Sequence, residues 1–198
     1  MDAIIFDFDG VIHNTFDITW SIYKKINPKG SKESYRSLFD GNLFNTLDRE
    51  EDKTKQEIFR KLESEAFKFL KLERKIKKEL EVLNKSYDLF IISSNTKKNL
   101  KMYFENNNFT HIFKEILSSD THKSKIEKFR ILFNKYSLDS KSCIFITDTL
   151  GDILEAKKVG VRSIAVDFGF HDRGRLQKGN PLKIISNFKE IRKIIQEL

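Results

Sequence analysis

Two carboxylates lie one residue apart at the end of the first apolar run of the chain, which occupies residues 3–8. Residues at positions i and i+2 of an extended segment project to the same side, so Asp7 and Asp9 can address one substrate atom or one metal ion. In open α/β sheets, ligands collect beyond the carboxyl ends of the strands, and Gly10 allows the turn that such an end requires. The pair is therefore placed for chemistry on a ligand.

Polar and charged side chains also follow two later apolar runs and begin one helical pattern. Hydroxyl and amide groups can donate hydrogen bonds to phosphate oxygens, and a second acidic pair adds carboxylates. Carboxylates from two strands that converge with a lysine and hydroxyl donors are what Mg²⁺-assisted phosphoryl transfer requires. The residues concerned are Ser93, Ser94, Asn95, Lys123, Lys125, Asp148 and Asp152.

Four short apolar runs position these side chains as strands of a sheet. They occupy residues 3–8, 89–93, 143–147 and 163–168, and each is too short for a helix and rich in Ile, Val and Phe. Helical patterns lie between the later runs. Strands that alternate with helices predict an α/β fold with an open, doubly wound, mostly parallel Rossmann-like sheet and right-handed crossovers.

Roughly eighty residues separate the first of these runs from the second, far more than the ~30 residues of a single crossover unit. Residues 14–71 have apolar side chains at helical spacing and no strand pattern, so we predict a small all-helical cap domain there. Residues 1–13 and 72–198 then form the Rossmann-like catalytic core. The insertion directly follows the paired aspartates, which is where a lid would have to be.

Composition indicates a folded, soluble protein. The chain has 198 residues, of which 39% are hydrophobic, and it can bury one core with a small satellite. Its N-terminal apolar run carries aspartates and no basic leader, so we interpret it as a strand rather than a secretion signal. No apolar run approaches the ~20 residues of a membrane-spanning helix. The single cysteine, Cys143, excludes an internal disulfide framework, and a reducing cytoplasm is the expected location.

The formal net charge of +8 raises the question of a nucleic-acid partner. Lysines alternate with glutamates in helical segments such as residues 71–79, which is typical of a solvated helix face rather than of a binding stripe. Nucleic acid is therefore not favoured as a partner, although the charge leaves it open. A basic surface of this kind is sufficient to attract a small phosphorylated substrate. No membrane contact and no obligatory protein partner are predicted.

These motifs together resemble those of the haloacid dehalogenase-like hydrolase superfamily, in its phosphatase branch. The resemblance covers the whole chain, weakly so in the insertion, and the motifs occur in the family's order. The segment from 168 to 181 resembles phosphoglycolate phosphatases and their relatives. The matching positions are residues 7–11 for the nucleophile motif, Ser94 and Asn95 for the hydroxyl motif, Lys125 for the lysine, and Asp148 and Asp152 for the acidic motif.

The resemblance implies a Mg²⁺-dependent phosphomonoester hydrolase that acts on a small phosphorylated metabolite. Asp7 would attack the phosphorus and form an aspartyl-phosphate, which divides one difficult displacement into two easier ones. Asp9 would protonate the leaving alkoxide and then deprotonate the attacking water. The dehalogenases of the family lack an acid at the second position because halide leaves unprotonated, so Asp9 favours phosphate esters.

The resemblance also implies two sets of ligands. The Mg²⁺ ligands would be the Asp7 carboxylate, the Asp9 main-chain carbonyl, Asp148 and, directly or through water, Asp152. The phosphate ligands would be Ser94, Asn95 and Lys125, and the lysine would offset the repulsion between a dianionic ester and the carboxylates.

Several alternatives stay open. Ile126 stands where the family commonly has proline after its lysine, so Lys123 competes with Lys125, which its spacing from the following helix favours. Ser93 could replace Ser94 as a phosphate ligand. A sugar phosphomutase would use the same residues and return the phosphoryl group to its product. A non-catalytic basic protein directed to nucleic acid, or a polynucleotide end-phosphatase, is the remaining alternative.

Overall fold

A computed structural model describes residues 1–47 and 53–198 of the chain. Residues 48–52, which belong to the predicted cap segment 14–71, lie outside the described residues. No helix in the described part is long and apolar enough to cross a lipid bilayer.

Six strands form one parallel sheet in the order β3-β2-β1-β4-β5-β6. β1 lies in the middle, and its residue Phe6 pairs with Ile91 on one side and with Ile146 on the other. The carboxyl ends of β1 and β4 are therefore adjacent, which brings together the residues that follow them. The strands are β1 Ala3–Phe6, β2 Asp88–Ile92, β3 Glu115–Leu117, β4 Cys143–Thr147, β5 Arg162–Val166 and β6 Lys183–Ile185.

The two faces of the sheet bury alternate side chains of each strand. Ile4 and Phe6 of β1 belong to one apolar cluster, whereas Ala3 and Ile5 belong to the other. Helices cover both faces, which confirms the predicted doubly wound α/β class. The first face packs against α5 Arg74–Leu83, α6 Lys97–Asn106 and α10 Glu190–Gln196, and the second packs against α7 Lys125–Tyr136 and α8 Leu150–Lys158.

The strand prediction differs from the structure in the number of strands and in the bounds of three of them. The runs predicted at 89–93 and 163–168 are β2 Asp88–Ile92 and β5 Arg162–Val166. β3 and β6 were not predicted, because each has only three residues and a charged residue begins each one. The first strand ends at Phe6 rather than at residue 8, although the N–H of Asp7 still donates to the carbonyl of Ile146 at 2.8 Å. Asp7 therefore continues the ladder by one hydrogen bond before the chain turns.

The described residues between β1 and α5 form four helices and no strand. α1 packs against α4, and Phe67 of α4 packs on Phe8 with ring centroids 5.7 Å apart. The described part of this segment is thus helical, as expected, whereas a cap domain with bounds at 14 and 71 stays a prediction. The helices are α1 Phe16–Ile26, α2 Lys32–Ser37, α3 Leu43–Leu47 and α4 Lys53–Phe67, and a further helix, α9 Arg173–Gln177, follows β5.

Aromatic side chains join the insertion to the loop after β5. We call them the aromatic cluster. Phe170, which is contributed by that loop, packs edge-on against Phe16 and against Phe39, with ring centroids 5.3 Å and 4.9 Å apart. Burial of these rings therefore holds the insertion against the loop that follows β5. The members are Phe16, Trp20, Tyr23, Tyr35, Phe39 and Phe170, and Leu38 packs against them.

Candidate active site

A tight turn follows β1 and exposes both aspartates to one cavity. The carbonyl of Phe8 accepts the N–H of Ile12 at 2.9 Å, and the N–H of Gly10 donates to the carbonyl of His13 at 2.8 Å. Gly10 has a φ of 75°, a conformation that favours glycine. Asp7 and Asp9 on either side of the turn both line the cavity described below.

The carboxylate of Asp9 is held at both of its oxygens. Thr15 Oγ1 donates to Oδ1 at 2.8 Å, and Asn95 Nδ2 donates to Oδ2 at 3.1 Å. Burial raises the pKa of Asp9 even though these two hydrogen bonds oppose the shift. The side chain is therefore oriented by its neighbours and disposed to carry a proton.

Lys125, at the start of α7, lies between two carboxylates in the interior. Its Nζ is 2.8 Å from Asp7 Oδ2 and 2.6 Å from Asp152 Oδ2, and Thr147 Oγ1 donates to the same Asp152 oxygen at 2.8 Å. Lys125 is only 2% exposed. Burial opposes its charge, but the two ion pairs outweigh burial and raise the pKa of Lys125. The same contacts overcome burial at Asp152 and lower the pKa of that carboxyl.

Asp148, directly after β4, lies very close to the backbone of Gly10 and Gly169. Its Oδ2 accepts the N–H of Phe170 at 2.7 Å, while its Oδ1 is buried and has no hydrogen-bond partner among the described residues. A Cβ at Gly10 would lie 1.8 Å from Oδ2, and one at Gly169 would lie 2.3 Å from it. Burial raises the pKa of Asp148 to about 8. The backbone thus approaches this carboxylate so closely that only glycine fits.

These carboxyl groups fit a divalent cation. The unpartnered Oδ1 of Asp148 is an acceptor that a cation would satisfy. Burial also raises the pKa of Asp7 and of Asp9, and a bound cation would oppose that rise because a nearby positive charge favours the carboxylate form. Magnesium is usually bound through one or two carboxylates, with water and substrate oxygens completing its shell. Asp7 and Asp148 supply two such carboxylates.

The described residues contain no group of three or more His, Cys, Asp or Glu side chains arranged to hold a metal ion. Asn95 and Thr15 hold the carboxylate of Asp9, whose main-chain carbonyl is the predicted ligand, and Lys125 holds Asp152 Oδ2. A site at this place would therefore depend on main-chain oxygen and water as well as on carboxylates. The predicted set of metal ligands stays a prediction.

A cavity of about 270 Å³ opens between the insertion and the carboxyl ends of the strands. Of the two predicted pairs of alternatives, Ser94 and Lys125 line it and Ser93 and Lys123 do not. The Ser93 hydroxyl is buried and accepts the N–H of Asn95 at 2.9 Å, whereas Lys123 is exposed with its Nζ 5.8 Å from the Phe44 ring centroid. The core residues on its wall include Asp7, Asp9, Ser94, Asn95, Lys125, Asp148 and Asp152.

Glu63 of α4 also lines this cavity, and sequence reasoning missed it. Its Oε1 lies 3.5 Å from Asn95 Nδ2, and its Oε2 accepts a hydrogen bond from Asn99 Nδ2 at 3.2 Å. The Asn95 amide thus bridges Glu63 and Asp9. Its predicted contact with phosphate stays a prediction. One signal was available in the sequence: Glu63 lies four residues from both Phe59 and Phe67, on the apolar face of α4.

Sequence reasoning also missed Lys128 and Glu155. Like Glu63, each of them lies on the buried side of its helix. Lys128 Nζ donates to the carbonyl of Ser93 at 2.5 Å, and burial lowers its pKa to about 7. Glu155 Oε1 accepts the N–H of Lys125 at 3.2 Å and the Nδ2 of Asn42 at 3.0 Å. Lys128 therefore fixes the turn that presents Ser94, and Glu155 fixes the start of α7 and connects it to the insertion.

We expect Glu63→Gln to make stability less dependent on pH. The pKa of Glu63 rises from 4.5 to about 8 on folding, mainly through burial and then through the charge of Asp9. The folded state therefore binds more protons than the unfolded state between these values, and stability falls as the pH rises through them. Glutamine is neutral throughout. We expect the free energy of unfolding of the variant, measured with urea in EDTA, to rise relative to that of the unmodified chain by at least about 1 kcal/mol across this window.

The matched control is Glu65→Gln, which removes an exposed carboxylate from the same helix. Its free energy of unfolding should follow that of the unmodified chain across the same pH window. Parallel curves for Glu63→Gln and the unmodified chain would show that burial does not shift the titration of Glu63.

Comparison with known proteins gives matches at the level of family and fold. The model of a family described as haloacid dehalogenase-like hydrolase matches residues 4–166. A hydrolase of that family from Streptococcus pneumoniae superposes with a TM-score of 0.81 at 22% identity, covering 98% of each chain. This last likeness concerns the fold alone.

Two curated relatives match over shorter segments. A phosphoglycolate phosphatase from Aliivibrio fischeri is 25% identical over 118 residues, which are 58% of this chain and 52% of the relative. A 5'-nucleotidase from Pseudomonas aeruginosa is 29% identical over 91 residues, which are 44% of this chain and 41% of the relative. The matched segments thus span about half the length of these relatives or less.

Proposed function

Because the chain belongs to the haloacid dehalogenase-like hydrolase family, we propose that it is a Mg²⁺-dependent phosphatase that hydrolyses monoesters of small phosphorylated metabolites. The observation that carries this proposal is the buried Lys125, which lies between Asp7 and Asp152 in the cavity that Asp9 and Asp148 also line. One cation among buried carboxylates is suited to receive a dianionic phosphate that the carboxylates alone would repel.

In the proposed reaction Asp7 is the nucleophile and Asp9 is the general acid and base. An oxygen of Asp7 attacks the phosphorus, the bond from phosphorus to the ester oxygen breaks, and Asp9 gives its proton to the leaving alkoxide. Asp9 then takes a proton from water, which attacks the phosphorus of the aspartyl-phosphate and releases inorganic phosphate and the Asp7 carboxylate. The raised pKa of Asp9 supports its starting the cycle protonated, and Thr15 and Asn95 hold it in place.

The remaining residues bind and position. Lys125 and the Ser94 hydroxyl hold phosphoryl oxygens, and the orphaned Oδ1 of Asp148 supports a metal at this position. The metal ligands we propose are the Asp7 carboxylate, the Asp9 main-chain carbonyl, Asp148, and Asp152 through a water, since Lys125 and Thr147 already occupy its Oδ2. Mg²⁺ would neutralise charge on the phosphoryl oxygens when bound. Asn95 positions Asp9 in this proposal.

The names of the two curated relatives, a phosphoglycolate phosphatase and a 5'-nucleotidase, support a phosphate monoester as the substrate. Residues 14–71 are proposed as the cap that closes over it, with residues 1–13 and 72–198 as the core. A cytoplasmic location and the absence of an obligatory protein partner belong to the same proposal.

The test is phosphate release from a panel of phosphate monoesters, with Mg²⁺ and after treatment with EDTA. We expect turnover of at least one ester, loss of turnover in EDTA, and recovery when Mg²⁺ is restored. Interconversion of hexose monophosphates without free phosphate would identify a phosphomutase instead. Salt-sensitive retention on DNA without turnover of any ester would identify a binding protein.

A further inference from the structure

The part of the cavity that the insertion contributes differs in character from the part that carries the carboxylates. Fifteen residues of the described insertion line the cavity; five carry rings, three are aliphatic, and the others are Gly41 and polar or charged side chains. Burial of an aromatic group against rings is favourable, and ring pairs gain further from stacked or edge-on contact. We call the rings that line the cavity the ring wall. They are Tyr23, Tyr35, Phe39, Phe44 and Phe59 from the insertion and Phe170 from the loop after β5.

Four rings of this wall form a continuous series. The ring centroids of Tyr23 and Tyr35 are 4.7 Å apart, those of Tyr35 and Phe39 are 5.5 Å apart, and those of Phe39 and Phe170 are 4.9 Å apart.

The series adjoins the proposed catalytic acid. Thr15 Oγ1 donates to Asp9 Oδ1 at 2.8 Å, and the next residue, Phe16, has its ring centroid 6.0 Å from that of Tyr35. Tyr35 and Asp9 also line the same cavity. The alcohol part of an ester bound at Asp7 therefore extends toward these rings.

The insertion adds three charged side chains to the described wall of the cavity, and none of them is a buried cation. Lys55 and Arg60 are exposed to solvent, whereas Glu63 is buried. A carboxylate on the alcohol part of the substrate would have these two exposed cations as its partners in the described insertion, and exposed ion pairs contribute little. An alcohol part without charge suits such a wall better.

We infer, on the basis of the proposed function, that the cavity selects phosphate monoesters whose alcohol part is uncharged and carries an aromatic ring. Two sources share this chemistry, aryl phosphates and nucleoside 5'-monophosphates. The reaction is hydrolysis as above: the bond from phosphorus to the ester oxygen breaks, the alcohol leaves with a proton from Asp9, and water supplies the oxygen of the released phosphate. The volume of about 270 Å³ is near the lower end for cavities that hold small molecules.

The first experiment compares kcat/KM for phenyl phosphate and adenosine 5'-monophosphate with kcat/KM for 2-phosphoglycolate and glycerol 1-phosphate. We expect at least one ring-bearing ester to exceed both ringless esters about tenfold or more, because burying and stacking a ring strengthen binding by factors of that order. The better of the two ring-bearing esters identifies the source. Preference for either ringless ester would overturn the inference and leave the proposed function standing, whereas no turnover of any ester would remove both.

The second experiment changes the wall itself. Phe59→Leu keeps apolar bulk on α4 but removes a ring that lines the cavity, and Phe69→Leu removes a ring that is 78% exposed and does not line it. We expect Phe59→Leu to lower the ratio of kcat/KM for the preferred ring-bearing ester to that for glycerol 1-phosphate about fivefold, mainly through KM. Phe69→Leu should leave the ratio unchanged.

Equal losses on both classes of ester in Phe59→Leu, or no loss on either, would contradict a ring wall that selects the substrate. Binding of adenosine 5'-monophosphate and of 2-phosphoglycolate to Asp7→Asn, measured by calorimetry, gives the same comparison without turnover. Tighter binding of 2-phosphoglycolate in that variant would also overturn the inference.

Discussion

Asp7→Asn is expected to abolish phosphate release, by on the order of 10³-fold or more, while the protein still folds. An amide is nearly isosteric with a carboxylate, so the turn after β1 keeps its shape, and the amide oxygen can still accept the hydrogen bond that the N–H of Phe8 donates to Asp7 Oδ1 at 2.7 Å. The amide is a poor nucleophile and cannot form the aspartyl-phosphate. Steady-state phosphate release and thermal unfolding measure the two parts of this expectation.

Asp9→Asn provides the contrast, because it spares the nucleophile. Attack by Asp7 on an ester with a good leaving group should still occur, whereas the water that resolves the intermediate loses its general base. Mass spectrometry of the quenched reaction should therefore show protein heavier by one phosphoryl group in Asp9→Asn and not in Asp7→Asn. Full hydrolysis by Asp7→Asn would mean that water attacks the ester directly.

Lys125→Met is expected to remove activity and to lower the free energy of unfolding by about 3–5 kcal/mol at neutral pH. Methionine keeps most of the side-chain volume but leaves Asp7 and Asp152 buried without a cation, whereas the lysine now lies within 2.8 Å of both. In the unmodified chain the lowered pKa of Asp152 contributes stability that is lost as the pH falls through it. The deficit of the variant should therefore shrink as the pH falls below 3.8, the ordinary pKa of aspartate.

Lys123→Met is the matched control, since it removes an exposed ammonium two residues away. Urea unfolding of the two variants at neutral and acidic pH, together with phosphate release, compares the two lysines directly. If Lys123→Met lost activity and Lys125→Met kept it, the assignment of the phosphate-binding lysine would be reversed.

The parts of the site that sequence predicts best are those fixed by strand ends. Asp7 and Asp148 follow strands that pair residue by residue, and adjacency of the two carboxyl ends is a property of any parallel sheet. Apolar runs flanked by polar residues were therefore sufficient to place them. The short strands β3 and β6 have no such pattern, and pairing with longer neighbours stabilises them.

Buried charges on helices are the parts that are hardest to predict from sequence. Glu63, Lys128 and Glu155 lie on apolar helix faces, and a charged residue within a helical pattern is more often solvated. Their partners come from other elements of the chain, as when Lys128 donates to the carbonyl of Ser93. Spacing within one helix contains no information about such a partner. The choice between Ser93 and Ser94 likewise depended on which of them this lysine and the sheet bury.

Phe170 both orients Asp148 and packs against the insertion. Its main-chain N–H donates to Asp148 Oδ2, and its ring packs on Phe16 and on Phe39. Mutations at Phe16, or at Phe39 of the ring wall, would also displace the amide that orients this carboxylate. New substrate preferences should therefore arise more readily at Phe44 or Phe59, which line the cavity but are not among the described ring partners of Phe170.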